Sequence, residues 1–242
     1  AKGTSYIKNC ACEPEIKNLT DFLKKMGVKI NWIGKRSVKI QGTQNLTNTK
    51  HRIMFDRIEA GTFVIAGALA AKKLIVTGIE TKVMTKELNI IKKMGVKLRV
   101  GSGEVTVLNS QKLKPISITT EPYPGFPTDL QAQIMVLMTK AKGISKIKEN
   151  IFENRFMHVP ELNRMGAKIR VNGNSSFILG PQELNGAEVM ATDLRASVSL
   201  VLAGLVAKNK TTINRVYHLD RGYEKIENKI TRCKGQISRS KK

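Results

Sequence analysis

Aromatic side chains make up only 5% of the 242 residues, with a single tryptophan, Trp32. A surface that reads single-stranded nucleic acid stacks bases on aromatic rings set among basic groups, and too few rings are present to build one. Histidine is scarcer: His51, His158 and His218 are too scattered for a ligand cluster. The three cysteines, Cys10, Cys12 and Cys233, give neither a disulfide framework nor zinc-ligand spacing. Cys10 and Cys12 are expected two residues apart on a strand, facing one side. No apolar run approaches the about 20 residues that a bilayer-spanning helix needs. No signal peptide or lipidation motif is visible, so the expected compartment is the cytoplasm. Neither a Walker-type loop nor a nicotinamide-binding glycine fingerprint occurs, so no cofactor is expected. No nucleophile, base and orienting group stand at a recognisable spacing.

Acidic residues are also few. Asp and Glu number 19 against 42 Lys and Arg, a net charge of +23 that raises the question of a polyanionic partner. The lysines, however, are scattered along helix faces, and only Ser238-Arg239-Ser240-Lys241-Lys242 reads as a basic tail. Solvated lysine faces are the favoured reading, and nucleic acid is not an expected partner.

What the chain does contain is a repeat. Leu23-Lys24-Lys25-Met26-Gly27-Val28-Lys29 returns as Ile91-Lys92-Lys93-Met94-Gly95-Val96-Lys97 and as Asn163-Arg164-Met165-Gly166-Ala167-Lys168. A fainter copy ends at Gly235, so the glycines stand 68, 71 and 69 residues apart. Each glycine closes a helical run and precedes a β-branched one, the position of a left-handed helix cap. The unit therefore reads helix, glycine stop, strand.

A second element recurs out of phase. Residues 60–71, 130–141 and 194–207 are apolar over helical lengths and hydrophobic nearly all round, as buried helices are. After each comes a strand (residues 74–78, 144–151 and 211–216) and then a lysine-rich amphipathic helix beginning near Thr85, Pro160 or Glu224. Three alternating units of about 70 residues exceed the usual solenoid periods and predict a closed, pseudo-threefold α/β domain. The chain opens in mid-repeat, without the buried helix that precedes this element later. Residues 1–52 are accordingly expected to be the end of a domain whose main body is missing, and residues 53–242 a three-repeat domain.

Charged residues at unusual places supply the site candidates. Arg195, in Ala191-Thr192-Asp193-Leu194-Arg195, falls in the first turn of a buried helix. The helix dipole disfavours a cation there by some tenths of a kcal/mol, so an anion should compensate. Arg155 and Arg221 occupy loops between a strand and the next helix, which collect at one end of the strands in alternating α/β units. Three guanidinium groups at one rim suit a carboxylate or phosphate; pairing with local acids such as Asp193, Asp220 or Glu153 is the alternative. Thr128-Asp129 and Thr192-Asp193 are equivalent in the repeat, and both open a helix. Asp129 can thus be a helix cap, or a carboxylate held by the stiff Tyr123-Pro124-Gly125-Phe126-Pro127 approach and able to act as a base toward a sugar hydroxyl.

At these residues the chain resembles a known family. Asp56-Arg57-Ile58-Glu59-Ala60-Gly61-Thr62-Phe63, Phe126-Pro127-Thr128-Asp129-Leu130-Gln131-Ala132-Gln133, Phe156-Met157-His158-Val159-Pro160-Glu161-Leu162 and the stretches 191–205 and 218–224 are similar to the C-terminal part of the UDP-N-acetylglucosamine 1-carboxyvinyltransferases. The resemblance covers essentially the whole chain. It implies an inside-out α/β barrel, here N-terminally truncated, with the site in a cleft between two domains. It also implies transfer of an enolpyruvyl group from phosphoenolpyruvate to the 3-hydroxyl of UDP-N-acetylglucosamine, with release of phosphate, as the first committed step of peptidoglycan synthesis. By resemblance Asp129 meets the sugar hydroxyl and takes its proton, and Ile151 contacts the UDP-sugar through its backbone. Arg155, Arg195 and Arg221 gather around phosphoenolpyruvate, with Asp129 and Arg221 in the catalytic group.

The family's cysteine proton donor, and the lysine and asparagine that hold phosphoenolpyruvate, belong to an N-terminal portion without a counterpart here. None of Cys10, Cys12 and Cys233 takes that role, and the chain alone is expected to be inactive, with the missing N-terminal half as its partner. Two alternatives stand beside this reading. One is an enzyme like 5-enolpyruvylshikimate-3-phosphate synthase, which shares the barrel and the arginines. The other is a basic binding module that keeps the fold without the chemistry, its polyanion binding steeply weakened by salt.

Overall fold

The computed structural model describes residues 1–110 and 112–240. Two compact units make up the chain: Ala1–Phe55 with Pro122–Pro124, and Asp56–Glu121 with Gly125–Lys242.

The first unit contains β1 (Thr4–Lys8), α1 (Pro14–Lys25), β2 (Lys29–Gly34) and β3 (Ser37–Gln41). The sheet is antiparallel in the order β1-β3-β2. Pro14 enters α1 at its first turn, where a missing N–H costs nothing. Trp32 Nε1 donates to Thr20 Oγ1 at 3.3 Å, fixing the helix to the sheet. Cys10 and Cys12 are not on a strand, as the sequence had suggested, because β1 ends at Lys8 and Asn9 turns the chain with a φ of 53°.

The second unit contains α2 (Arg57–Ala70), β4 (Lys73–Thr77), α3 (Thr85–Lys93), β5 (Lys97–Val100), β6 (Glu104–Leu108) and β7 (Ser117–Thr119). It continues with α4 (Gln131–Met138), β8 (Gly143–Lys148), α5 (Val159–Arg164), β9 (Lys168–Asn172) and β10 (Ser175–Gly180). Last come β11 (Glu188–Met190), α6 (Leu194–Gly204), β12 (Thr212–Asn214) and α7 (Ile226–Arg232). Its sheets run β4-β6-β5, β7-β8-β10-β9 and β11-β12. The sequence repeat therefore appears as one motif used three times, β-α-β-β, in which the third strand pairs between the other two: β1-α1-β2-β3, β4-α3-β5-β6 and β8-α5-β9-β10.

The glycine of each full copy takes the left-handed conformation expected of it: φ is 98° at Gly27, 93° at Gly95 and 93° at Gly166. The fainter copy differs. There Lys234 adopts φ 66° and Gly235 does not, so the stop after α7 falls one residue earlier than the sequence repeat suggests.

The apolar helices form the core of this unit. All eight residues of α4 are buried, from Gln131 to Met138, and α2 and α6 each pack against it. Gly61 permits the close approach of α2, since a Cβ there would stand 2.6 Å from Leu130 Cδ1. Val198 and Val201 of α6 form one buried apolar cluster with Leu219, Tyr223, Ile226 and Ile230. The 130–141 run is shorter as an α-helix than its apolar length implied: Leu130 belongs to the separate 3-10 turn Thr128–Leu130, and the helix ends at Met138. Likewise the 144–151 strand stops at Lys148, where the chain turns. Of the basic tail, Arg239 pairs with Asp220 and Glu227; Lys241 and Lys242 lie outside the described residues. Among the described residues no helix is long and apolar enough to cross a membrane.

Candidate active site

Thr128-Asp129 and Thr192-Asp193 look alike in sequence but behave differently. Asp193 caps α6 in the ordinary way, its Oδ1 accepting from the N–H groups of Arg195 and Ala196 at 2.8 Å each. Asp129 makes no capping bond to its own turn. Its carboxylate instead receives Arg155 Nη2 on Oδ1 at 2.9 Å and Arg195 Nη2 on Oδ2 at 2.8 Å. One acid is thus held between a guanidinium from the turn after β8 and another from the first turn of α6. The anion that the dipole argument required near Arg195 is Asp129, and the proposed pairing of the arginines with Asp193, Asp220 or Glu153 is not what occurs.

Asp129 keeps 37% of its side chain exposed, whereas Arg155 and Arg195 keep 15% and 13%. The acid is therefore the accessible face of the cluster. Burial favours its protonated form, but Arg195 and then Arg155 outweigh it and hold the pKa below the ordinary carboxylate value. Arg195 is kept firmly charged: burial opposes its charge, and the Tyr223 hydroxyl and Asp129 more than offset that. Arg155 also lies over the Phe152 ring, 4.8 Å from its centroid.

Behind Arg195 is a buried polar network joining the core helices. Thr62 of α2 donates its proton to the Ile58 carbonyl at 2.8 Å, which leaves its oxygen to accept from the Tyr223 hydroxyl at 2.9 Å. The Tyr223 oxygen in turn accepts from Arg195 Nη1 and Gln133 Nε2, both at 3.3 Å. Gln133 Nε2 also reaches the Asp129 carbonyl at 2.9 Å. Burial raises the Tyr223 pKa, so the hydroxyl keeps its proton. Arg195 is thereby fixed from behind while its other nitrogen faces Asp129.

The remaining candidates divide. Ile151 is exposed, and its N–H is already given to Glu149 Oε1 at 2.9 Å, so its backbone offers a ligand the carbonyl. Arg221 ends the 3-10 helix Val216–Arg221 rather than an open loop, and it is exposed, with no ion pair among the described residues. Its neighbour Asp220 is occupied by Arg239 at 2.6 Å. The structure thus brings Asp129, Arg155 and Arg195 together and leaves Arg221 outside that contact, two residues from Tyr223. Among the described residues no group of three or more His, Cys, Asp or Glu is placed to hold a metal ion.

Sequence reasoning missed four participants: Thr62, Gln133, Tyr223 and His158. Thr62 and Gln133 are polar residues inside apolar stretches, and Tyr223 is an aromatic residue in a charged segment, weak signals before the helices are packed. His158 is 2% exposed, with Nε2 unpartnered among the described residues. Burial pushes its pKa down to about 4, with Asp193 opposing and Arg155 assisting, so it is neutral at pH 7.

The family model of EPSP synthase (3-phosphoshikimate 1-carboxyvinyltransferase) matches residues 1–230. A UDP-N-acetylglucosamine 1-carboxyvinyltransferase of Pelagibacter ubique is 56% identical over 239 residues, covering 99% of this chain and 57% of the relative. One of the same name from Brucella ovis is 50% identical over 240 residues, covering 99% and 56%. The chain spans little more than half the length of these relatives. Among solved structures, the enolpyruvyl transferase NikO from Streptomyces tendae superposes with a TM-score of 0.89 at 29% identity, covering 98% of this chain and 57% of that one. An EPSP synthase from Acinetobacter baumannii shares the fold with a TM-score of 0.72 at 18% identity, covering 99% and 59%.

Proposed function

We propose a function from one premise: the chain belongs to the EPSP synthase (3-phosphoshikimate 1-carboxyvinyltransferase) family. Within it, our reading is a portion of a UDP-N-acetylglucosamine 1-carboxyvinyltransferase, which moves the enolpyruvyl group of phosphoenolpyruvate to the sugar 3-hydroxyl and releases phosphate in the cytoplasm. Residues 53–242 are then a three-repeat domain closed as an inside-out barrel, and residues 1–52 correspond to the end of the preceding domain of the relatives. The observation that carries the reading is the state of Asp129, an acid spared from capping its helix and presented at the surface between two more deeply buried arginines.

The chemistry follows from that arrangement. The Asp129 carboxylate occupies Arg155 and Arg195 much as the carboxylate or phosphate of phosphoenolpyruvate would. An anionic substrate that draws the arginines onto itself removes the two influences lowering the Asp129 pKa and leaves burial, which raises it. Asp129 then becomes a stronger base, suited to take the proton of the sugar hydroxyl as its oxygen attacks C2 of phosphoenolpyruvate. Phosphate then leaves from C2 as the methyl carbon gives up a proton and the C=C bond re-forms, the charge of the departing phosphate being held by the arginines. Arg221, exposed and without an ion pair among the described residues, joins that group as the site closes, and the Ile151 carbonyl orients the sugar. The proton donor to the methylene carbon is assigned to the length of the relatives that this chain does not span.

The family model supports a second reading, an acceptor like shikimate 3-phosphate. Competition separates the two when the full chain is supplied with the remaining length of a relative. Saturable UDP-N-acetylglucosamine binding that is lost in Asp129→Ala supports the first reading. Preference for shikimate 3-phosphate supports the second, and salt-sensitive binding of any polyanion with no preference for either contradicts both.

A further inference from the structure

Glu149, which follows β8, forms no ion pair among the described residues. It is 4% exposed, and four neutral donors converge on it. Its Oε1 accepts from Thr120 Oγ1 at 2.7 Å, from the Ile151 N–H at 2.9 Å and from the Phe152 N–H at 3.1 Å. Its Oε2 accepts from Thr128 Oγ1 at 2.9 Å. A buried charge without a counter-ion is costly unless hydrogen bonds replace its hydration, and here they come from three chain segments. These are the end of β7, the 3-10 turn that carries Asp129, and the turn that carries Ile151. The Glu149 N–H is itself fixed to the Asn174 carbonyl at 2.8 Å, and the Asn150 N–H to Thr120 Oγ1 at 2.9 Å.

The carboxylate accepts at both oxygens; a glutamine could still accept at one and donate at the other to the Thr128 hydroxyl, which can itself accept, whereas methionine, of similar length, can do neither. The polar end of this one side chain is what holds Thr128 on one side and the Ile151 and Phe152 amides on the other. The two arms end at the neighbour of Asp129 and at Ile151 itself.

We propose that Glu149 is a positioning residue for the acceptor: it fixes the Asp129 carboxylate relative to the Ile151 carbonyl, and so determines which sugar hydroxyl meets the base. This rests on the reading that Asp129 and Ile151 face the UDP-sugar. Errors of a fraction of an ångström in such a spacing are enough to slow a reaction.

The test uses the full chain supplied with the remaining length of a relative, as parent, Glu149→Met and Thr128→Val. Glu149→Met, which removes both arms, should raise the KM for UDP-N-acetylglucosamine about 10- to 100-fold, with the phosphoenolpyruvate KM changing by less than about twofold. Thr128→Val, which cuts only the Oε2 arm, should show the same split to a smaller degree. Hydrogen exchange on the chain itself should show the Ile151 and Phe152 amides exposed in Glu149→Met and protected in Thr128→Val. An active parent with an unchanged UDP-sugar KM in both variants, or with both KM values rising together, overturns the role of Glu149. A parent without any UDP-sugar turnover overturns the functional reading instead.

Discussion

Arg195 Nη2 meets Asp129 Oδ2 at 2.8 Å, joining the entrances of two core helices that are 66 residues apart in sequence. The contact sets apart two acids that the repeat makes equivalent, since Asp193 caps its own helix while Asp129 is left to the arginines. Replacing each by alanine should give opposite phenotypes. Asp193→Ala should lower stability by about 1 kcal/mol, the usual value of a lost cap, with UDP-sugar affinity kept within severalfold. Asp129→Ala should leave helix content unchanged and abolish UDP-sugar affinity. Denaturant melts with paired binding titrations check both, and loss of binding in Asp193→Ala with retention in Asp129→Ala would reverse the assignment.

His158 gives the protein a pH dependence of known sign. Its folded pKa of about 4 lies below the ordinary 6.5, so between those values the unfolded chain binds the extra proton. Stability should therefore fall as pH drops from 6.5 toward 4, by at most about 3 kcal/mol. Asp129 adds to the fall only below its unfolded pKa of about 4, because its folded value is depressed. Urea midpoints measured from pH 7 to 4 should show the slope, and His158→Gln should flatten it.

Tyr223→Phe keeps the ring in the core and deletes a hydroxyl shared by Thr62, Gln133 and Arg195. A cost of about 1 to 2 kcal/mol is expected from the lost bonds. Because Arg195 loses its rear support, phosphoenolpyruvate use should weaken more than UDP-sugar affinity. Equal losses for both substrates would mean that the tyrosine serves folding alone.

Arg221→Ala should change stability little, because the side chain is exposed and makes no ion pair among the described residues. In the completed enzyme it should damage kcat/KM for phosphoenolpyruvate at least about tenfold while sparing UDP-sugar affinity. Kinetic parameters equal to the parent's would remove Arg221 from the site.

The glycine stops were legible because a left-handed cap admits few residues: Gly27, Gly95 and Gly166 carry their geometry in their identity. The fainter copy misled for the same reason, since Lys234 takes the strained position and the glycine beside it does not. Arg195 could be singled out from the helix dipole, but not its partner. Thr128-Asp129 and Thr192-Asp193 are alike as dipeptides; the proline-rich approach to Asp129 marks it out in the sequence, but only tertiary structure brings the two arginines to it. Glu149 gave no signal, because a lone acid after Lys146-Ile147-Lys148 reads as a solvated charge. The Thr62–Tyr223 bond spans 161 residues, and no local pattern reports such a contact.

The central claim is tested most directly by phosphate release from phosphoenolpyruvate that depends on UDP-N-acetylglucosamine. The chain is assayed alone and then with the remaining length of a relative, each as parent and as Asp129→Asn. The account predicts turnover in the supplemented parent, near-silence in the chain alone, and loss of turnover in supplemented Asp129→Asn. Undiminished turnover in supplemented Asp129→Asn would contradict it, as would a folded, supplemented parent that releases phosphate only with shikimate 3-phosphate.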